Sequence, residues 1–128
     1  SKDGLKNFQQ GPTLFSENMR HSAIKLDGNQ LTVFYSNKLD CPERILCSTI
    51  DLTPDWMDWQ PSPAETVLEP ETEYEGADLA LNPSESGKIA NRVRQLRDPC
   101  IYREGNETYL LYSIAGEHGI AIAKLTKA

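Results

Sequence analysis

The fold is decided by residues 97–113, which read Arg-Asp-Pro-Cys-Ile-Tyr-Arg-Glu-Gly-Asn-Glu-Thr-Tyr-Leu-Leu-Tyr-Ser. The stretch opens with a charged pair and a proline, continues as an apolar segment, and reverses direction at Gly105-Asn106 before a second apolar and aromatic segment. Glycine and asparagine accept the positive φ angles that tight turns need. The stretch therefore predicts a β-hairpin.

An earlier copy of this stretch occupies residues 20–36 and aligns with it, 77 positions back, without a gap. Six of the 17 aligned positions are identical, among them the leading arginine and the Gly-Asn pair of the turn. The similarity resumes after the next loop, where residues 45–50 match residues 120–125. Self-similarity at a fixed offset is the signature of a repeat architecture. The sequence therefore predicts an all-β chain of two antiparallel sheets with three to four strands each.

The two repeats are separated by a long connection. We expect a single domain over residues 1–128, with the first repeat at about 20–52 and the second at about 97–125. The segment between them, about 53–96, is expected to be mostly irregular.

Two parts of this insert carry weaker patterns. Val67 and Leu68 are candidates for a fourth, outer strand of the first repeat. The spacing of Ile89, Val93 and Leu96, four and then three residues apart, indicates a short helical stretch.

Composition excludes several classes of partner. With 128 residues and 38% apolar residues, the chain is large enough for an ordinary globular core. Its net charge of -6 argues against nucleic acid or an anionic membrane surface as the main partner, because both need clustered lysine and arginine. No apolar run is long enough to cross a bilayer.

The cysteines do not form a metal-binding or disulfide pattern. Cys41, Cys47 and Cys100 make an odd number, with no Cys-x-x-Cys pair and no histidine at zinc-finger spacing. We therefore expect free thiols, no metal and no cofactor. Free thiols and the lack of a visible secretory signal favour a cytoplasmic location.

Candidate chemistry lies at the entry of each repeat, where Arg20-His21 and Arg97-Asp98 occupy equivalent positions. Pro99 fixes its own φ and biases Asp98 towards an extended conformation. In a radially repeated fold, equivalent positions point at one axis, so these four side chains are expected to form a polar floor suited to a hydroxyl-rich ligand. The alternative is local: Arg97 and Asp98 pair with each other and cap the strand.

Trp56 and Trp59 are three residues apart in the insert. Such a pair anchors a turn against its own sheet or forms a platform on which a sugar stacks. The sequence leaves both interpretations open.

The order Arg-Asp-Pro, strand, Gly-Asn turn and Tyr-Leu-Leu-Tyr-Ser, followed by a glycine-flanked loop and Ile-Ala-Ile-Ala, resembles one blade of the five-bladed β-propeller glycosidases. These enzymes are glycoside hydrolase families 32, 43 and 68. The first repeat is similar to a neighbouring blade. The resemblance covers residues 20–52 and 97–125, about half of the chain, so it implies a partial five-bladed propeller of two blades.

The resemblance implies an active site in the axial funnel, built from three carboxylates on different blades. Asp98, in its Arg-Asp-Pro context, matches the aspartate that stabilises the transition state or tunes a pKa, and Glu75 is a candidate for the acid. His21, Arg20 and Arg97 would place sugar hydroxyls, with Trp56 and Trp59 as further saccharide contacts. No match to the first aspartate of the family is present.

Two functional hypotheses follow from this resemblance. In the first, the chain is a fragment or short form of a propeller glycoside hydrolase-like protein; in the second, it is a non-catalytic saccharide-binding or oligomerising module. Glycoside hydrolysis needs two facing carboxyls, which Asp98 alone cannot provide. Two blades cannot close a ring, and their open faces and edges favour self-association.

Overall fold

A computed structural model describes residues 1–126 and shows an all-β chain with two antiparallel sheets that do not close into a barrel. The first sheet has the order β1-β2-β3-β4 and the second β5-β6-β7. The prediction of two propeller-like sheets of three to four strands is confirmed. The strands are β1 Met19–Asp27, β2 Gln30–Asn37, β3 Ile45–Asp51, β4 Glu65–Leu68, β5 Arg97–Glu104, β6 Glu107–Ile114 and β7 Gly119–Leu125, and two short 3-10 turns span Trp56–Asp58 and Glu73–Glu75.

Equivalent two-residue turns close the first hairpin of each sheet. Gly28 and Gly105 adopt φ angles of 58° and 57°, and in each hairpin the residue before the glycine pairs with the residue after the asparagine. A residue with a side chain is strained at such angles, which accounts for the glycine at the same place in both repeats. The Gly-Asn pairs of the sequence therefore form the predicted hairpins.

The insert contributes one strand and no α-helix within the described residues. Val67 and Leu68 lie in β4, which pairs with β3 as the fourth strand of the first sheet. The helical stretch predicted from Ile89, Val93 and Leu96 is wrong. Main-chain groups there bond to distant loops instead: Leu96 N donates to Glu43 O at 2.9 Å and Val93 N donates to Ala115 O at 3.2 Å.

The two sheets pack face to face around one apolar cluster. Phe34 and Ile45 of the first sheet meet Leu110 and Tyr112 of the second, and Leu96 of the insert completes the cluster; all five are buried. The insert thus belongs to the core that joins the two repeats.

The far face of the first sheet is also covered. Val33, Tyr35, Leu46 and Ile50 are buried there and pack against partly buried apolar residues. These are Leu14 and Phe15 of the arm before β1, Met19 of β1, Leu31 of β2, and Leu52 and Trp59 after β3. The first sheet is therefore packed on both faces over β2 and β3, whereas Ile24 and Leu26 of β1 stay exposed on the far face.

The second sheet has one face that nothing described in residues 1–126 covers; we call it the outer face. Cross-strand pairing places Cys100, Leu111 and Ile122 on it, and Tyr102 and Ile120 share the face by alternation along their strands. Ile120 is 75% exposed and Ile122 59%. In the first repeat the matching face, with Phe34 at the position of Leu111, is the one that the second sheet buries.

No helix in residues 1–126 has the length and apolar character needed to cross a lipid bilayer.

Candidate functional site

The first strand of each sheet carries the same β-bulge. In β1 the register shifts between Arg20 and Ala23, and in β5 it shifts between Arg97 and Cys100, 77 residues later. In both strands two residues therefore oppose one residue of the partner strand. Bulges of this kind bend a strand and redirect a side chain. The identical defect makes this end of the two sheets structurally equivalent.

The first residue of each bulge has a left-handed backbone. His21 has φ 51° and Asp98 has φ 52°. The extended conformation predicted for Asp98 is wrong, because the bulge requires one residue to leave the β region. Aspartate and histidine are among the side chains that tolerate positive φ, and residues held in this way recur at functional sites.

The two bulges bring His21 and Asp98 together. His21 Nδ1 contacts Asp98 Oδ1, and Ser113 Oγ donates to Asp98 Oδ2 at 2.8 Å. A carboxylate beside Nδ1 favours the tautomer with its proton there, which leaves Nε2 as the free acceptor of a neutral ring. Both side chains are partly exposed, at 44% and 37%. The equivalent positions thus converge as the repeat predicts.

The two leading arginines share a buried carboxylate. Arg20 forms a two-point contact with Glu43, with Nε to Oε1 at 2.9 Å and Nη2 to Oε2 at 2.5 Å, and Ser36 Oγ donates to Oε1 at 2.7 Å. Arg97 Nε lies 3.1 Å from Glu43 Oε2 as an ion pair. Glu43 is 0% exposed and Arg97 1%. The pairing of Arg97 with Asp98 that the sequence left open does not occur.

Arg97 is fixed by further partners and is closed to solvent. Its Nη2 donates to Gln95 Oε1 at 2.5 Å and its Nη1 donates to Glu117 Oε1 at 3.2 Å. A guanidinium so enclosed cannot touch a ligand directly in this conformation, so its place in the site is to hold the surrounding loops.

Sequence reasoning missed Glu43, which lies in the loop before β3. That loop has no counterpart of equal length in the second repeat, so the internal alignment gives no signal for it. The signal that was available is the pair of equivalent arginines, because two buried cations at one end of a core need a shared counter-ion.

Glu75 is buried at the 3-10 turn Glu73–Glu75, where it caps the turn, and it does not lie beside His21 and Asp98. Its Oε2 accepts hydrogen bonds from the backbone of Glu71 and Thr72 and from the Thr72 hydroxyl, and its Oε1 accepts from Tyr112 Oη at 2.8 Å. Burial alone would raise the pKa of Glu75, but these hydrogen bonds outweigh burial and hold its pKa below the ordinary value. A general acid needs the opposite shift, so the contacts favour a structural role for Glu75.

His21 lines an open cleft of about 430 Å³, which we call the His21 cleft. Its other lining residues are Arg20, Lys38, Ser86, Gly87, Lys88 and Glu117. The insert forms its wall: Leu39 N donates to Ser84 O and Ser84 N donates to Asp40 O, both at 3.0 Å. Arg20 Nη1 donates to Glu85 O at 3.1 Å and fixes the same segment.

The tryptophans lie elsewhere. Trp59 Nε1 donates to Pro54 O at 3.2 Å and its ring packs on the far face of the first sheet, an arrangement that anchors the turn. Trp56 lies close against Gly11 and shares with Trp59 a cavity of about 800 Å³ beside the N-terminal arm. Neither tryptophan lines the His21 cleft, and a saccharide contact in their own cavity stays a prediction.

Within residues 1–126, no cluster of three or more His, Cys, Asp or Glu side chains is arranged to hold a metal ion. Cys41, Cys47 and Cys100 are free; Cys41 and Cys100 are exposed.

Comparison with known proteins adds a relative but no activity. The chain is similar to the uncharacterized protein R118 of Acanthamoeba polyphaga mimivirus, with 37% identity over 143 aligned positions. The alignment covers 99% of this chain and 40% of the viral protein, so the chain spans less than half the length of the curated relative it matches. No known protein family and no solved structure matches the chain.

Replacing Glu43 by Gln is expected to lower the free energy of unfolding by about 3–5 kcal/mol, because Arg20 and Arg97 would lose the buried carboxylate that they share and Arg97 would keep only the partly exposed Glu117. Urea or guanidinium denaturation measures the change. Glu17→Gln, at an exposed position, is the control and should stay within about 0.5 kcal/mol. Equal, small effects of the two variants would show that Glu43 does not hold the repeats together.

Glu75→Gln is expected to flatten the dependence of stability on pH in acid. The folded-state pKa of Glu75 is lowered, so its stabilising contribution is present above its unfolded pKa and is lost as pH falls through the folded value. Thermal unfolding from about pH 6 down to about pH 3 should show a shallower loss in the variant than in the wild type. Glu73→Gln, an exposed neighbour, is the matched control, and an identical slope in all three proteins would contradict this assignment.

Proposed function

We propose that the chain is a saccharide-binding pair of blades from a propeller glycoside hydrolase-like protein, and that its ligand occupies the His21 cleft. The observation that carries the proposal is the meeting of His21 and Asp98, which come from equivalent bulges in the two repeats. In a radially repeated fold, binding groups are concentrated at the end that the stacked sheets share. The His21 and Asp98 pair is exposed at such an end. The likeness of residues 97–113 to the Arg-Asp-Pro blade adds the carbohydrate character of the ligand.

Binding is favoured over hydrolysis by this chain alone, because each of its carboxyl groups at this end already contacts a basic side chain of the same chain. Glu43 is enclosed by arginines, Glu117 pairs with Arg97, and Asp98 contacts His21. Hydrolysis needs one carboxyl to remain protonated beside one that is ionised. Burial raises the pKa of Asp40, but Asp40 does not line the cleft.

A cytoplasmic setting is part of the same proposal. The support is that all three cysteines are free and two of them are exposed, as suits a reducing compartment.

Isothermal titration with a panel of neutral mono- and oligosaccharides, read together with the NMR signals of the His21 ring, tests the proposal. At least one sugar should bind and shift His21. His21→Ala and Asp98→Asn should each weaken binding at least about tenfold, since the first removes a hydrogen-bonding group from the cleft lining and the second removes the carboxylate that contacts the His21 ring. Asp78→Asn, at an exposed position outside the cleft lining, should bind as the wild type does.

Two outcomes would overturn this proposal. If no sugar binds, the saccharide function is lost. If aryl-glycosides are hydrolysed in a reaction that Asp98→Asn abolishes, the chain is an enzyme and the non-catalytic part of the proposal is wrong.

We also infer that the chain associates with a second copy through the outer face. The same face of the first repeat is buried by a neighbouring sheet, whereas here Ile120, Ile122 and Tyr102 are open to water. Exposed apolar faces of this kind mark interaction surfaces. The far face of the first sheet is covered over β2 and β3, although Ile24 and Leu26 of β1 are exposed there, so we expect the contact to form between two outer faces.

Sedimentation of the wild type is expected to show a species of twice the single-chain mass. Ile122→Lys should shift it to a monomer, because burying a lysine in an apolar interface is costly. Ile24→Lys, also at an exposed strand position but on the first sheet, is the matched control and should leave the dimer intact. A stable interface of about 800 Å² per partner should have a dissociation constant well below about 100 μM. A wild type that is still monomeric at that concentration would contradict the inference.

A further inference from the structure

The His21 cleft has a charge opposite to that of the chain as a whole. The chain carries a net charge of -6, yet the cleft lining contains Arg20, Lys38 and Lys88 against one carboxylate, Glu117. Glu117 is itself paired with Arg97. A cleft lined by one sign of charge concentrates ligands of the other sign.

The two lysines are the uncompensated cations of this cleft. Arg20 is satisfied by Glu43 and by Glu85 O, whereas neither Lys38 nor Lys88 forms an ion pair within residues 1–126. Elsewhere in the chain, Lys25 and Lys124 each pair with a carboxylate. An acidic protein that leaves two ammonium groups unpaired at one cleft offers them to a ligand.

The main chain holds both lysines in place. Lys38 is half-buried at the end of the first sheet, where its own N donates to Asn18 O at 2.9 Å and the next residue bonds to Ser84 O. Lys88 follows the same insert segment, directly after Gly87, whose φ of 94° suits glycine. The two cations thus come from the end of β2 and from the insert, two segments that hydrogen bonds at Ser84 and Glu85 hold together.

The groups that remain free are hydrogen-bond donors suited to oxygen anions. Lys38 and Lys88 supply ammonium groups, and Ser86, also in the lining, supplies a hydroxyl. Lysine binds phosphoryl and carboxylate oxygens through short charge-assisted hydrogen bonds, which are stronger than those between neutral groups. Asp98 does not oppose them, because His21 lies against it.

We propose that Lys38 and Lys88 form an anion subsite in the His21 cleft, for a phosphoryl or carboxylate group. The identity of the whole ligand rests on the proposed function: if the cleft binds a saccharide, the anionic group belongs to that saccharide. The ligand is then an acidic sugar, such as a sugar phosphate or a uronate. His21 and Asp98 then contact its hydroxyl groups, and the lysines contact its charge.

The test compares four probes at low salt by titration calorimetry: glucose, glucose 6-phosphate, glucuronate and inorganic phosphate. At least one acidic sugar should bind about tenfold or more tightly than glucose, the size expected for two partly desolvated charge contacts. The Lys38→Gln/Lys88→Gln double variant should lose that advantage. Added salt should reduce the advantage in the wild type. Lys6→Gln, on the exposed N-terminal arm, is the control and should bind as the wild type does.

The outcomes separate the anion subsite from the saccharide function. If glucose binds as tightly as the acidic sugars, or if the double variant keeps the full advantage, the anion subsite is overturned while saccharide binding stands. If inorganic phosphate binds as tightly as glucose 6-phosphate and the double variant abolishes both, the anion subsite stands and the saccharide function fails. If none of the three anions binds, the anion subsite is wrong.

Discussion

The structure depends on one buried carboxylate held between two arginines. Glu43 accepts hydrogen bonds from Arg20 of the first repeat and forms an ion pair with Arg97 of the second. This contact lies at the end of the core where both sheets begin. An unpaired charge in such a place is strongly unfavourable, so each of the three side chains requires the others. The apolar cluster between the sheets supplies the larger burial, but apolar contact is not directional. The ion pairs specify one relative position, and that position brings His21 to Asp98.

Much of the fold could be predicted because the features that define the repeat are encoded by residues close together in sequence. The two Gly-Asn turns, the alternating strands and the short fourth strand at Val67-Leu68 all depend on neighbours in sequence. The helical stretch proposed for residues 89–96 failed for the opposite reason, since its backbone groups bond to loops distant in sequence. Spacing alone cannot distinguish apolar residues on a helix from those on an irregular strap that packs against a core.

The site was predictable in position but not in detail. Equivalence of Arg20-His21 and Arg97-Asp98 predicted that the four residues would gather, and they do so at one end of the sheets. Their division into a buried structural pair and an exposed polar pair depends on Glu43 and on the bulges, neither of which has a pattern in the chain. Pro99 was the one available hint, because a proline inside a strand is usually found at an edge or a bulge.

The bulges change which face of the sheet the side chains before them point to. In a regular strand, side chains at positions 20 and 23, three residues apart, would point to opposite faces of the first sheet, since strand side chains alternate. With the bulge, Arg20 pairs with Ser36 and Ala23 pairs with Phe34. Arg20 and Ala23 therefore lie on the same face although they are three residues apart. Deletion of one bulge residue would place positions 20 and 23 two apart, so Arg20 would still face Glu43, but the bulge that brings His21 to Asp98 would be lost. The loop after β2 differs in length between the two repeats, and in the first repeat it carries Glu43, so its length is tied to the same arginines.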